Sequence, residues 1–154
     1  MQHVRHFREL RTYQNAREAA GMVFNMSKTF PKEERYSLTD QIRRASRAVK
    51  ALIGEAWGRR RYKASFAHKL VEALGEANEV QSWLDDILDC GYADSDWVHT
   101  MMDRYQVICS MISRMIDHAD EFCPNDPDAD YRASSVREPL PDSEWFIDTP
   151  RSEL

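Results

Sequence analysis

Glycine is scarce in this 154-residue chain, five residues in all, and β-branched runs are few. Both argue against a sheet, which needs alternating Val, Ile and Thr and flexible turns. No apolar stretch approaches the roughly 20 residues a membrane-crossing helix requires. The opening MQHVRHFRELRTY has no apolar export core, so a cytoplasmic protein with no membrane partner is expected. Cysteine is limited to Cys90, Cys109 and Cys123, odd in number and without a CxxC pair. Reduced structural thiols follow.

Catalytic patterns are missing as well. There is no glycine-rich phosphate loop, nucleophile elbow or Cys-His-Asp arrangement. Bundles that house two iron ions use Glu-x-x-His on two helices, and that motif does not occur. His3-Val4-Arg5-His6 and Asp96-Trp97-Val98-His99 are isolated pairs near segment ends. Met101, Met102, Met111 and Met115 follow apolar positions and read as core or interface filler. No catalytic residue, metal site or cofactor is expected.

What remains is helical periodicity and unevenly placed charge. The organising stretch is Ser37 to Lys69. Ser37 with Asp40 reads as an N-cap and near capping box, and Leu38, Ile42, Ala45, Val49, Leu52 and Ala56 then recur at steps of four and three. A first helix from Phe7 to Thr29 carries Leu10, Tyr13, Ala16, Ala20 and Val23, with Phe24 and Phe30 widening its apolar face, and ends at Phe30-Pro31. After the corner Arg59-Arg60-Arg61-Tyr62, a third helix repeats Phe66, Leu70, Ala73, Ala77, Val80, Leu84 and Ile87 until Gly91 stops it. A fourth opens at Asp94 or Ser95, carries Trp97, Met101, Tyr105, Ile108, Ile112, Met115 and Ala119, and ends before Pro124. Four helices of matching length with short links predict an all-α, antiparallel up-down-up-down four-helix bundle over residues 1–121.

The net charge of -5 conceals two opposed regions. Arg43 to Lys69 holds nine basic residues against one acid, Glu55. From Asp120 onward there are ten acidic and three basic residues, and five of the six prolines. Residues 122–154 therefore read as an extended, acidic C-terminal tail. Within it, Trp145, Phe146 and Ile147, flanked by Glu144 and Asp148, form a candidate docking segment for a partner protein or for the chain's own basic corner.

Arg43, Arg47 and Lys50 share one helix face, and Arg59, Arg60, Arg61 and Lys63 carry the charge around the corner. Such a strip can neutralise phosphates without reading sequence, with Trp57 and Tyr62 near enough for stacking. The competing reading is a solvated or intersubunit face, with Arg43 or Arg44 paired to Glu33, Glu34 or Glu79. Glu55, on the apolar side of its helix, calls for an ion-pair partner such as an arginine across an interface.

Ordered motifs carry a family resemblance. Phe7 to Ala16, the linker Phe30-Pro31-Lys32-Glu33-Glu34-Arg35-Tyr36-Ser37-Leu38-Thr39, the run Gln41-Ile42-Arg43-Arg44-Ala45, then Ile53, Glu55, Gly58 and Arg59, and Ala73, Gly75 and Glu79 stand in the order of a known pattern. It resembles the bacterial four helix bundle protein family, which includes proteins encoded within intervening sequences of large-subunit ribosomal RNA genes and, more distantly, accessory proteins of diversity-generating retroelements. The chain departs from the pattern at Leu52, Gly54, Ala56 and Leu74. The resemblance implies a homo-oligomer, commonly a pentamer, and implies no enzyme. The expectation is a non-catalytic, oligomeric scaffold presenting its basic surface to RNA, DNA or an acidic partner. The alternative is an adaptor that binds a protein partner through its tail.

Overall fold

The computed structural model describes residues 2–125 and 136–138. Four long helices dominate: α1 Arg11–Ser27, α2 Leu38–Gly58, α3 Lys63–Cys90 and α4 Ser95–Asp117, followed by a single turn, α5 Ala119–Phe122. Each long helix packs on the next, and α1 also packs on α4, so one core is shared by all four.

The apolar stripe of α3 is buried as its spacing predicts, from Phe66 to Ile87. Gly91 ends the helix at φ 67°, a left-handed conformation that glycine adopts without steric cost. In α2 the buried row is Leu38, Ile42, Ala45, Val49, Ile53 and Ala56. Ile53 replaces the expected Leu52 because a straight helix of 3.6 residues per turn drifts away from a strict heptad. Val98 is buried at the start of α4 where Trp97 was expected, and Trp97 is only half-buried.

The helix starts also differ from expectation. Ser37 stands before α2 but makes no side-chain cap. Glu34 supplies it from the preceding 3-10 turn: its Oε2 accepts from the Leu38 N–H at 3.2 Å and from the Ser37 hydroxyl at 2.5 Å. The Tyr92 hydroxyl donates to the other oxygen at 3.2 Å, tying the start of α2 to the α3–α4 link. α1 begins at Arg11 rather than Phe7, because a 3-10 turn over Phe7–Glu9 and extended Leu10 intervene.

A short antiparallel pair joins the two ends of the described chain. β1 Gln2–Val4 lies beside β2 Val136–Glu138, with Gln2 opposite Glu138 and Val4 opposite Val136. Val4 and Val136 enter the core. Glu138, 4% exposed, receives the Arg11 N–H on both carboxylate oxygens at 2.9 and 3.2 Å. It thereby satisfies one orphan donor at the positive end of α1. Phe122, expected at the head of the tail, stacks on Phe66 with ring centroids 5.6 Å apart. Trp145, Phe146 and Ile147 lie outside the described residues.

Candidate functional site

The basic residues of α2 meet a face of α1 that carries cations of its own. Arg17, Gly21, Phe24 and Lys28 follow one another at steps of four and three, as do Arg43, Arg47, Lys50 and Gly54, so each set lines one stripe of its helix. The stripes abut. Arg43 and Arg47 place their guanidinium carbons 4.9 and 5.3 Å from the centroid of the Phe24 ring, and Lys28 Nζ lies 4.8 Å from it. Arg43 Nε donates to Ser27 Oγ at 2.7 Å, and that hydroxyl donates to the Phe24 carbonyl, which fixes the guanidinium. Toward the other end of the groove, the Phe7 ring lies 3.4 Å from where a Cβ on Gly54 would sit, with Arg8 4.7 Å from the ring centroid. The glycine gives Phe7 its place on the helix.

Among the described residues, no carboxylate comes within ion-pair distance of Arg17, Lys28, Arg43, Arg47 or Lys50. The ring quadrupole of Phe24 offsets part of the mutual repulsion, about 0.5–1 kcal/mol per exposed cation–π contact. Charge of one sign gathered in a groove without counter-charge favours an incoming polyanion. The α1 contributors, Arg17, Phe24 and Lys28, were absent from the sequence-derived set, although their spacing is visible in the sequence. Which face of α1 lies against α2 is not.

The corner differs from the exposed basic surface expected of it. Arg60 is 3% exposed, lies 3.9 Å above the Trp57 ring and donates to the Trp57 carbonyl at 2.9 Å. It is a packing residue, since Trp57 three positions earlier offers it a ring and an acceptor. Lys63 Nζ pairs with Asp120 at 2.6 Å. Arg59 is exposed and donates to Ser65 at 3.5 Å, while Arg61 is half-buried and 5.7 Å from the Tyr62 ring centroid.

Between α2 and α3 the charge is balanced. Arg44 bridges to Glu76 at 3.3 Å and Glu79 at 2.7 Å, and Lys69 bridges to Glu55 at 3.3 Å and Glu72 at 2.7 Å. Glu55 therefore finds a lysine of its own chain, and it is exposed rather than half-buried. Burial draws the Glu79 carboxyl up, but the Arg44 guanidinium and the Trp83 indole together hold it below the usual range. The hydrogen bond from Lys69 does the same for Glu72. Among the described residues no three His, Cys, Asp or Glu side chains converge to hold a metal ion, and no helix is long and apolar enough to cross a membrane.

Comparison with known proteins places this geometry in context. The sequence model of one family, described as 23S rRNA-intervening sequence protein, matches residues 8–114. A crystal structure from Bacteroides thetaiotaomicron VPI-5482 superposes with a TM-score of 0.63 at 25% identity, covering 69% of this chain and 95% of that one. It is described as a protein with unknown function from the S23 ribosomal protein family. No curated protein matches the chain.

Proposed function

Because the chain belongs to the 23S rRNA-intervening sequence protein family, we propose that it is a non-catalytic, cytoplasmic up-down-up-down bundle that binds the phosphate backbone of nucleic acid along the α1–α2 groove. The observation that carries this reading is the convergence of Lys28, Arg43 and Arg47 on Phe24 with no carboxylate in ion-pair distance among the described residues. Phosphates there would replace mutual repulsion by charge-assisted hydrogen bonds and release counterions. The contacts are to charge, so binding would discriminate weakly among sequences.

Self-association, in five copies as the family resemblance implies, is part of the same proposal. Support comes from apolar side chains left at the surface, with Val71 54% exposed and Leu74 half-buried on α3, and Met102 half-buried on α4.

Salt-titrated binding of RNA and DNA, run beside light scattering for mass, tests the reading. Arg43→Ala with Arg47→Ala should weaken binding more than tenfold and flatten the salt slope by about 1.5 to 2, with mass unchanged. Affinity that survives this pair would sink the groove and leave the adaptor reading through Trp145, Phe146 and Ile147.

A further inference from the structure

We propose that the α1–α2 groove takes a single strand of nucleic acid rather than a duplex, with an unpaired base stacked on Tyr36. The cationic track comes from the function proposed above, on which this inference rests; the stacking platform is a separate observation.

Tyr36 stands in the link from α1 to α2, just ahead of Ser37, and is 85% exposed. Tyr13 and Tyr105 are buried in the core and Tyr92 is tied to Glu34, whereas no hydrogen bond reaches the Tyr36 hydroxyl among the described residues. The ring therefore contributes little to the fold. Its backbone is nevertheless fixed on both sides. The Arg35 N–H donates to the Lys32 carbonyl at 3.2 Å and the Ser37 N–H to the Glu34 carbonyl at 3.1 Å. The Arg35 guanidinium lies 5.7 Å from the ring centroid. An exposed ring on a fixed turn, with an arginine beside it, offers a π face to a base at little ordering cost.

The link closes the groove at the end where Lys28 follows α1. Tyr36 precedes Arg43 by seven residues, about 10 Å at the helical rise. A strand with a phosphate at Arg43 therefore has Tyr36 within about three nucleotides, at about 3.4 Å each. The charged ends of Lys28, Arg43 and Arg47 all surround one ring and lie within about 10 Å of one another, a track suited to one backbone. Around Tyr36 in the sequence, Lys32, Arg35, Arg43 and Arg47 outweigh Glu33 and Asp40, and Glu34 is engaged by the Leu38 N–H and the Tyr92 hydroxyl. A duplex could use the cations but keeps its bases paired and stacked, so Tyr36 would gain nothing from it; a single strand can turn a base outward onto the ring. Tyr62, 59% exposed, stands instead at the corner, where Lys63 is taken by Asp120 and Arg60 is buried.

Fluorescence anisotropy on the full-length chain tests this, with a labelled strand of about 20 nucleotides offered single, as a duplex, and as an abasic strand that keeps its phosphates, each in RNA and DNA form to tell the two sources apart. Charge alone would favour the duplex, whose phosphates are denser. The single strand should nevertheless bind about tenfold tighter at equal salt. Tyr36→Ala should weaken single-strand binding about tenfold, with the salt slope, duplex affinity and Tm unchanged, and Tyr36→Phe should retain it. The abasic strand should bind wild type and Tyr36→Ala alike. Full affinity in Tyr36→Ala, an equal loss on the abasic strand, or a preference for duplex would overturn the proposal. The groove fails separately from the platform. Affinity that needs Tyr36 but survives Arg43→Ala with Arg47→Ala would sink the groove, whereas affinity lost in that pair and kept in Tyr36→Ala would leave the groove and sink the stacking. Binding of none of these nucleic acids would sink both.

Discussion

Glu138 and Tyr105 each place a polar group in the interior with consequences that can be measured. Burial pushes the Glu138 carboxyl above 4.5, although the Arg11 N–H pulls the other way. A carboxyl raised on folding favours the protonated form, so its contribution to stability is fullest below 4.5 and is lost as pH rises through the folded value. Glu34, Glu72 and Glu79 are lowered, so their contribution is present above 4.5 and is lost as pH falls through their folded values. Mild acid should thus slow amide exchange at Val4 and Arg11, after correction for intrinsic rates, before it speeds exchange at Leu38. Glu138→Gln should abolish the first effect and leave the second. The Tyr105 hydroxyl is fully buried and has no hydrogen-bond partner among the described residues, and such a group costs about 1–3 kcal/mol. Tyr105→Phe should therefore raise Tm by about 3 °C; a fall would show that the hydroxyl has found a partner.

At the scale of the helix, the cap of α2 rests on Glu34 rather than Ser37, and the two variants separate those roles. Glu34→Ala removes the acceptor for the Leu38 N–H and the tie to Tyr92 together. It should lower Tm by a few degrees, with Ser37→Ala clearly milder. The phenol of Tyr92, pushed up to about 12 by burial and by Glu34, should titrate lower once that carboxylate is gone. The helices themselves were legible in the sequence because burial on one side imposes a period, and α3 shows this from Phe66 to Ile87. Glu34 as a cap was not, because the 3-10 turn that aims it is no part of α2's own pattern. The same limit hid half of the candidate site. The cations of α2 are visible along one helix, whereas their union with Phe24 and Lys28 depends on which two faces abut.

For the whole molecule, the pairing of β1 with β2 changes where the tail begins. Three-residue strands are too short to show alternation, and their partners lie more than a hundred residues apart, so neither strand announced itself. Removal of residues 124–154 would strip out Val136 and Glu138 as well as the acidic segment. Such a chain should lose about 2–4 kcal/mol from one buried valine and one helix cap. Ending the chain after Glu138 should leave the urea midpoint where it is. Equal loss from both truncations would mean that residues beyond 138 hold the bundle together.

The register of that pair has a mechanical corollary. Gln2 and Glu138 face each other at the outer end of the ladder, so tension between them would load one cross-strand pair at a time instead of shearing the strands lengthwise. Antiparallel ribbons of this size have little strength of their own. Pulled from these two points, the protein would first unzip toward Val4 and Val136 and release the Arg11 amide. The bundle would begin to bear load only afterwards, with its four helices still wound.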